Sequence, residues 1–586
     1  MSFATRRSVR AASVPTVIAL VAALATMFAR PVQAAEPQGF AAEVDLSPLA
    51  RIAVQSDGRL KSFDSFANEM MFYISGAKHI NGQTPSFTYL DMLFRPEAYE
   101  DADVIYVKNK SVRVQMADAL KASRPDLAER MTAFVHTGLI SERIILDPAL
   151  RPLLNQLQGD LIRTAKQVDA IQSAMAVKQR TTLLSRLWIV PSPQGGDARW
   201  LGIADVVPLA TGSGQFALPP VAGLDPQVQA QIAGAWQDLV TGWRNADAPM
   251  VNGAVASLAS VLPTIAPETY PALKRLELES WYFRADNMSW IWLVYMLASI
   301  LLVMAAVYQW RAAFALGFVA FGAAFALQTA AVGIRWYIAG RWPNSNMFEA
   351  VTTAAWFGGC CAILLELFLR RTPMRGLFAL GSAVASMVAL MAVHFLPVQL
   401  NANISNMMPV LHDVWLYIHT NVIIFSYCLI FMAAVSAAMY LGWRALGGGA
   451  AYARVGGAAT VIMAGGGGGA GTVDAAASGG RRGSSWGEVL DGVTMVLMEI
   501  AFVLLWAGIV MGAIWADHSW GRPWGWDPKE VFALNTFLIF ALLVHVRLKV
   551  KDKGFWTAVL AVLGAGVMLF NWIVINFVIT GLHSYA

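Results

Sequence analysis

The stretch best suited to chemistry is Trp520-Gly521-Arg522-Pro523-Trp524-Gly525-Trp526-Asp527-Pro528-Lys529-Glu530. It holds three tryptophans within seven positions. Each indole presents a flat apolar face with one N–H at its edge. An aromatic belt at a membrane surface accounts for tryptophans, but not for their concentration in one glycine-spaced loop with an Asp-Pro-Lys-Glu exit. The sharper reading is a platform for a large planar apolar ligand that also carries polar groups, and a tetrapyrrole fits. Of eight histidines, His394, His412, His419, His518, His545 and His583 accompany this loop in the second half of the chain. Imidazole is a common axial ligand of haem iron, so these six are the candidate ligands. His79 and His136 stand alone, without metal-ligand spacing around them.

Long apolar helices must position these groups. The chain has 586 residues, of which 57% are hydrophobic and only 14% charged, with a mean hydropathy of +0.51. Soluble domains carry roughly 25% charged residues. This deficit excludes an ordinary cytosolic enzyme, a disordered chain and a nucleic-acid binder. A net charge of +5 is too small for a polyanion partner. The three cysteines, Cys360, Cys361 and Cys428, lie in apolar stretches and form no CxxC motif.

Apolar runs near the ~20 residues needed to span a bilayer occur at about 290–309, 313–334, 349–369, 376–396, 414–442, 490–515, 532–549 and 555–579. The expected fold is therefore a polytopic α-helical membrane protein of about eight C-terminal transmembrane helices, with a mostly helical extracytoplasmic domain over 36–286. Residues 1–35 have the pattern of a signal peptide or N-terminal anchor: Arg6, Arg7 and Arg10, an apolar run from Val14 to Phe28, then small residues. Residues 447–485, with glycines at 465–469, read as a flexible cytoplasmic linker inside the membrane domain 287–586.

The positive-inside rule orients the spans. Arg311, then Arg370, Arg371 and Arg375, then Arg444, Arg454, Arg481 and Arg482, then Arg547, Lys549, Lys551 and Lys553 fall in alternate loops, expected on the cytoplasmic side. The tryptophan loop and the C-terminus then lie on the outer side. His419, about 8 Å into its helix, and His583 can flank the loop from opposite sides, whereas His545 sits roughly 20 Å deep. Arg335, Arg341 and Arg522 are outer-side exceptions, candidates for pairing with an acidic ligand. His394, His412 and His518 remain competing imidazoles.

The tryptophan loop resembles the WWD motif of the haem-handling proteins of cytochrome c maturation. Its surroundings resemble the CcsA (ResC) branch of system II. Three further stretches carry the likeness: Pro343-Asn344-Ser345-Asn346-Met347-Phe348-Glu349, then Met408-Pro409-Val410-Leu411 with Trp415-Leu416-Tyr417-Ile418-His419, and Gly581-Leu582-His583-Ser584-Tyr585. Gly58-Arg59-Leu60-Lys61-Ser62-Phe63-Asp64-Ser65-Phe66 more weakly resembles the domain that precedes CcsA in some CcsBA-type fusions. Pro523 stands where an aromatic is common, and Val531-Phe532 replaces the usual Thr-Trp.

The resemblance implies haem b as ligand and substrate. His419 and His583 would be outer axial ligands above Trp520, Trp524, Trp526 and Asp527, and His545 the ligand within the membrane. It implies presentation of haem for thioether attachment to apocytochrome c bearing CxxCH sites, as a subunit of a holocytochrome c synthase in the bacterial inner membrane. Expected partners are a CcsB/ResB-type membrane protein, since the sequence shows no second transmembrane histidine ligand of its own, together with thiol-reducing proteins and the bilayer, and no nucleic acid. The alternative is a haem or small-molecule transporter without synthase activity.

Overall fold

The computed structural model describes residues 39–76, 79–121, 123–160, 164–196, 198–207, 220–406, 413–453 and 485–575. The signal-like segment 1–35, Met408–Leu411, His412, most of the 447–485 linker and the terminal stretch with His583 lie outside the described residues. Contact density divides the chain into two units. One is Met1–Ala285 with Asn403–Asn406; the other is Asp286–Ala402 with Met407–Ala586.

The first unit is mainly helical. Ser62 accepts a hydrogen bond from Ser65 N and so starts the helix Phe63–Ser75, and Thr84 does the same for Pro85–Phe94, where a proline occupies the first turn. Phe66, Tyr89 and Trp243 pack at its centre, each fully enclosed. Trp243 Nε1 and Tyr99 Oη both donate to Asp91, at 2.8 and 2.7 Å, which satisfies polar edges that burial would otherwise leave costly. A short hairpin pairs Ala53–Ser56 with Arg59–Ser62, with Val54 opposite Lys61. Its two-residue turn, Asp57-Gly58, has both φ values positive, as the tight primed turns require. Within this unit Lys61 is buried against Glu69, and Arg59 against Glu279. Desolvation pushes the Glu69 carboxyl up, with Lys61 opposing.

The second unit contains eight helices long and apolar enough to cross a membrane: Asp286–Tyr308, Arg311–Ala339, Met347–Phe368, Leu377–Phe395, Val414–Ala445, Trp486–Trp520, Pro528–Lys549 and Lys553–Ile575. Their number agrees with the hydropathy reading, and their ends differ in two informative places. The second span continues through Arg335 to Ala339, so Arg335 is helical and buried rather than part of a loop. The sixth span reaches Trp520, where Gly521 takes the left-handed conformation (φ 67°) and its N–H closes onto the Asp517 carbonyl. The loop proper is therefore 521–527.

Candidate ligand cavity

A cavity of about 290 Å³ opens among the third, fifth, sixth, seventh and eighth spans. Its volume is at the lower end of the range for small-molecule sites. Its lining combines apolar and aromatic side chains, Ile423, Ile509, Trp515, Trp524 and Trp572, with the polar Asn344, Ser345, Asn346, Tyr427 and Asn571. His419 is part of the same lining.

His419 sits in the second turn of the fifth span, whose N-terminus is capped by the Asp413 carboxylate accepting from Trp415 N and Leu416 N. Its Nδ1–H donates to the Gly508 carbonyl on the sixth span at 2.8 Å. A carbonyl only accepts, so the proton is on Nδ1 and the lone pair on Nε2, the tautomer that can bind a metal. The neighbouring helix can approach this closely because it lacks side chains there. A Cβ on Gly512 would lie 2.6 Å from the imidazole Cε1, and one on Gly508 2.5 Å from Ile423 Cδ1. These two glycines, one turn apart, were not singled out from the sequence. Small residues at a four-residue spacing in an apolar span were the available signal.

The segment before the third span is held by charge. Glu349 is fully buried and accepts from Arg335 Nε at 3.0 Å, Arg341 Nη1 at 2.9 Å, Ser345 N at 2.7 Å and Ser345 Oγ at 3.0 Å. Asn346 caps the same helix by accepting from Glu349 N. Arg335 and Arg341, expected from the sequence to meet an acidic ligand, are thus engaged with Glu349. Through Glu349, which also binds Ser345, they are tied to the Asn344–Asn346 segment of the lining. Arg522 is exposed.

The tryptophans separate. Trp524 lines the cavity, whereas Trp520 and Trp526 are not part of its lining. Trp520 packs edge-on against the buried Trp515, with ring centroids 4.9 Å apart. Trp526 stands edge to face with Trp524 at 6.0 Å and is 73% exposed. Its φ of 56° is unusual for a residue with a side chain. Asp527 is buried and caps the seventh span by accepting from Lys529 N, while Glu530 Oε2 accepts from Gly525 N and Asp527 N at 2.9 and 3.1 Å. Asp527 and Glu530 therefore set the shape of the loop.

The other histidines are elsewhere. His545 is exposed on the seventh span, and its Nδ1–H donates to the Ala541 carbonyl of its own helix at 2.7 Å. His394 Nδ1 donates to Asp286 at 2.8 Å, with Ser289 Oγ 2.9 Å away. His518 is exposed in the last turn of the sixth span. Among the described residues no three His, Cys, Asp or Glu side chains gather as a metal-ion site. A single imidazole of fixed tautomer beside indole faces instead suits a metal already held in a planar macrocycle.

The model of the cytochrome C assembly protein family matches residues 344–583. The cytochrome c biogenesis protein CcsA of Parasynechococcus marenigrum (strain WH8102) is 31% identical over 260 residues, 44% of this chain and 82% of the relative. CcsA of Chlamydomonas reinhardtii is 28% identical over 255 residues, 43% of this chain and 63% of the relative. Protein NrfI of Wolinella succinogenes is 24% identical over 546 residues, which cover 90% of this chain but 53% of the relative. The chain thus spans less than two thirds of the length of the last two. From the matched tryptophan loop and histidine-bearing spans, and from the extent of the CcsA match, the chain belongs to the cytochrome C assembly protein family.

Proposed function

We propose that this chain acts in cytochrome c biogenesis by binding haem b in the cavity at His419 and presenting it for covalent attachment to apocytochrome c. The observation that carries this reading is the His419 imidazole, tied through Nδ1 to the Gly508 carbonyl and lining a cavity of mixed aromatic and polar side chains. Haem has the matching asymmetry, an apolar macrocycle with two carboxylates at one edge. His419 Nε2 would hold the iron from one side and His583 from the other, with Trp524 against the macrocycle and Trp520, Trp526 and Asp527 completing the platform. His545 would hold haem within the membrane, with the second ligand supplied by a CcsB/ResB-type partner.

The attachment step needs positioning more than acid–base help. Each CxxCH thiol adds across a haem vinyl group: an S–C bond forms, the S–H bond breaks, and its hydrogen passes to the other vinyl carbon, with no net redox change. Reduced cysteines on the apocytochrome are required, hence the expected thiol-reducing partners. The alternate basic loops support an inner-membrane orientation with the cavity end, the tryptophan loop and the domain 36–286 on the periplasmic side.

Synthesis and simple transport separate in one experiment. A chain carrying Trp524→Ala and Trp526→Ala is expected to retain haem on purification yet lower the yield of holocytochrome c at least tenfold. Unchanged holocytochrome yield in that variant would favour a transporter without synthase activity.

A further inference from the structure

The membrane unit carries an exposed face whose polar residues a bilayer does not satisfy. On the sixth span Glu499, Val503, Trp506, Val510 and Ile514 are exposed as a stripe at three- and four-residue spacing, with Asp517 and His518 exposed beyond it in the last turn. On the seventh they include Leu538, Leu542, His545 and Leu548. The two helices are neighbours: Phe502 and Phe537 stack with centroids 4.7 Å apart, and Arg547 grips Asp491 through two contacts of 2.9 and 2.6 Å. Only 17% of the apolar window of the seventh span is buried, against 28% or more for every other span.

Glu499 stands out in this face. It lies thirteen residues beyond Trp486, roughly 20 Å along the helix. Among the described residues no hydrogen bond or ion pair ends on its carboxylate. Counted from the Asp491–Arg547 contact, it lies about 9 Å further from that end of the bundle than His545. A carboxyl group against hydrocarbon is costly whether ionised or protonated, and the cation whose charge reaches it, Arg547, is already engaged with Asp491. Apolar ridges alone would suit lipid; ridges interrupted by Glu499 and His545 suit a protein helix.

We propose that this face seats a membrane-spanning helix of another polypeptide, which brings a basic side chain to the depth of Glu499. A second copy is the poorer occupant. A twofold axis normal to the membrane keeps each residue at its own depth, and so sets Glu499 against Glu499. The apolar run Val14–Phe28 of this chain is poorer still, since it contains no charged residue. The inference rests on the proposed function only in expecting a membrane partner, and it names where and by what chemistry that partner docks.

The test replaces Val503 with a photoreactive phenylalanine analogue in the full chain, in its native membranes, with Val319 on the second span as the control position. The expected product at 503 is a cross-link to a different polypeptide, within a span carrying Lys, Arg or His. Its yield should drop at least threefold with Glu499→Gln and at least tenfold with Glu499→Lys. Changing the partner's basic residue to Glu should restore the Glu499→Lys yield. Adducts with lipid or a second copy only, a captured span without a basic residue, or yields indifferent to both substitutions overturn the proposal. The unaltered elution of Glu499→Gln after extraction controls for folding. Its His419-dependent haem absorption reads the cavity separately, so either reading can fail without the other.

Discussion

His419 and His545 are both imidazoles in apolar helices, and the chain treats them oppositely. His419 is half-buried, and its Nδ1–H is bound by a neighbouring span that two glycines bring close. Its tautomer and ring position are thus set by tertiary packing before any ligand arrives, so a ligand bound there would meet little ordering cost. His545 is bound only to the carbonyl four residues back and is exposed on the span with the least buried apolar window. Its tautomer is fixed, but among the described residues it stands exposed. A half-buried imidazole held by a second helix is positioned by this chain's own packing. An exposed one at membrane depth is half of a site, to be completed by something else.

The half-buried site depends on its lining, so the largest expected effect comes from removing Glu349. Glu349→Ala leaves Arg335 and Arg341 without their buried counter-charge, at a cost of about 3–5 kcal/mol. It should lower the temperature at which the purified protein aggregates and abolish haem retention; a variant with wild-type stability and haem would remove the triad from the account. Next is Gly512→Val, which overpacks the His419 ring by about 1–3 kcal/mol. The expected outcome is at least tenfold less haem per chain with normal membrane insertion, measured by pyridine haemochrome assay against protein. Asp527→Ala removes one helix cap, worth about 1 kcal/mol, and should cut holocytochrome yield only severalfold. Smallest is His545→Ala, which should leave haem in the cavity spectrally unchanged when haem is supplied from the outer side. A shifted spectrum there would mean that the two sites are not separate.

The membrane half was largely legible because bilayer thickness imposes its own length on apolar runs, and all eight spans were found within a few residues. Where the ends shifted, specific contacts were responsible. Arg335 read as a loop residue because an isolated guanidinium does not belong in a span, yet Glu349 neutralises it and the helix continues. Two of the three outer-side arginines read as ligand partners, Arg335 and Arg341, are engaged with Glu349, a carboxylate fourteen positions from the first of them. Gly508 and Gly512 were not singled out as site residues, since their spacing signals a close helix contact but not which side chain it receives. The Asp57-Gly58 hairpin in the first unit was signalled by a turn dipeptide but lay within a region read as helical.

The central claim is that His419 Nε2 holds haem iron, and optical absorption of the purified full-length chain tests it most directly. Wild type should carry low-spin haem with two imidazole ligands. His419→Gly should lose that spectrum and regain it when free imidazole is added, because the cavity stays intact around the missing side chain. A His419→Gly chain that keeps the wild-type spectrum without imidazole would contradict the account.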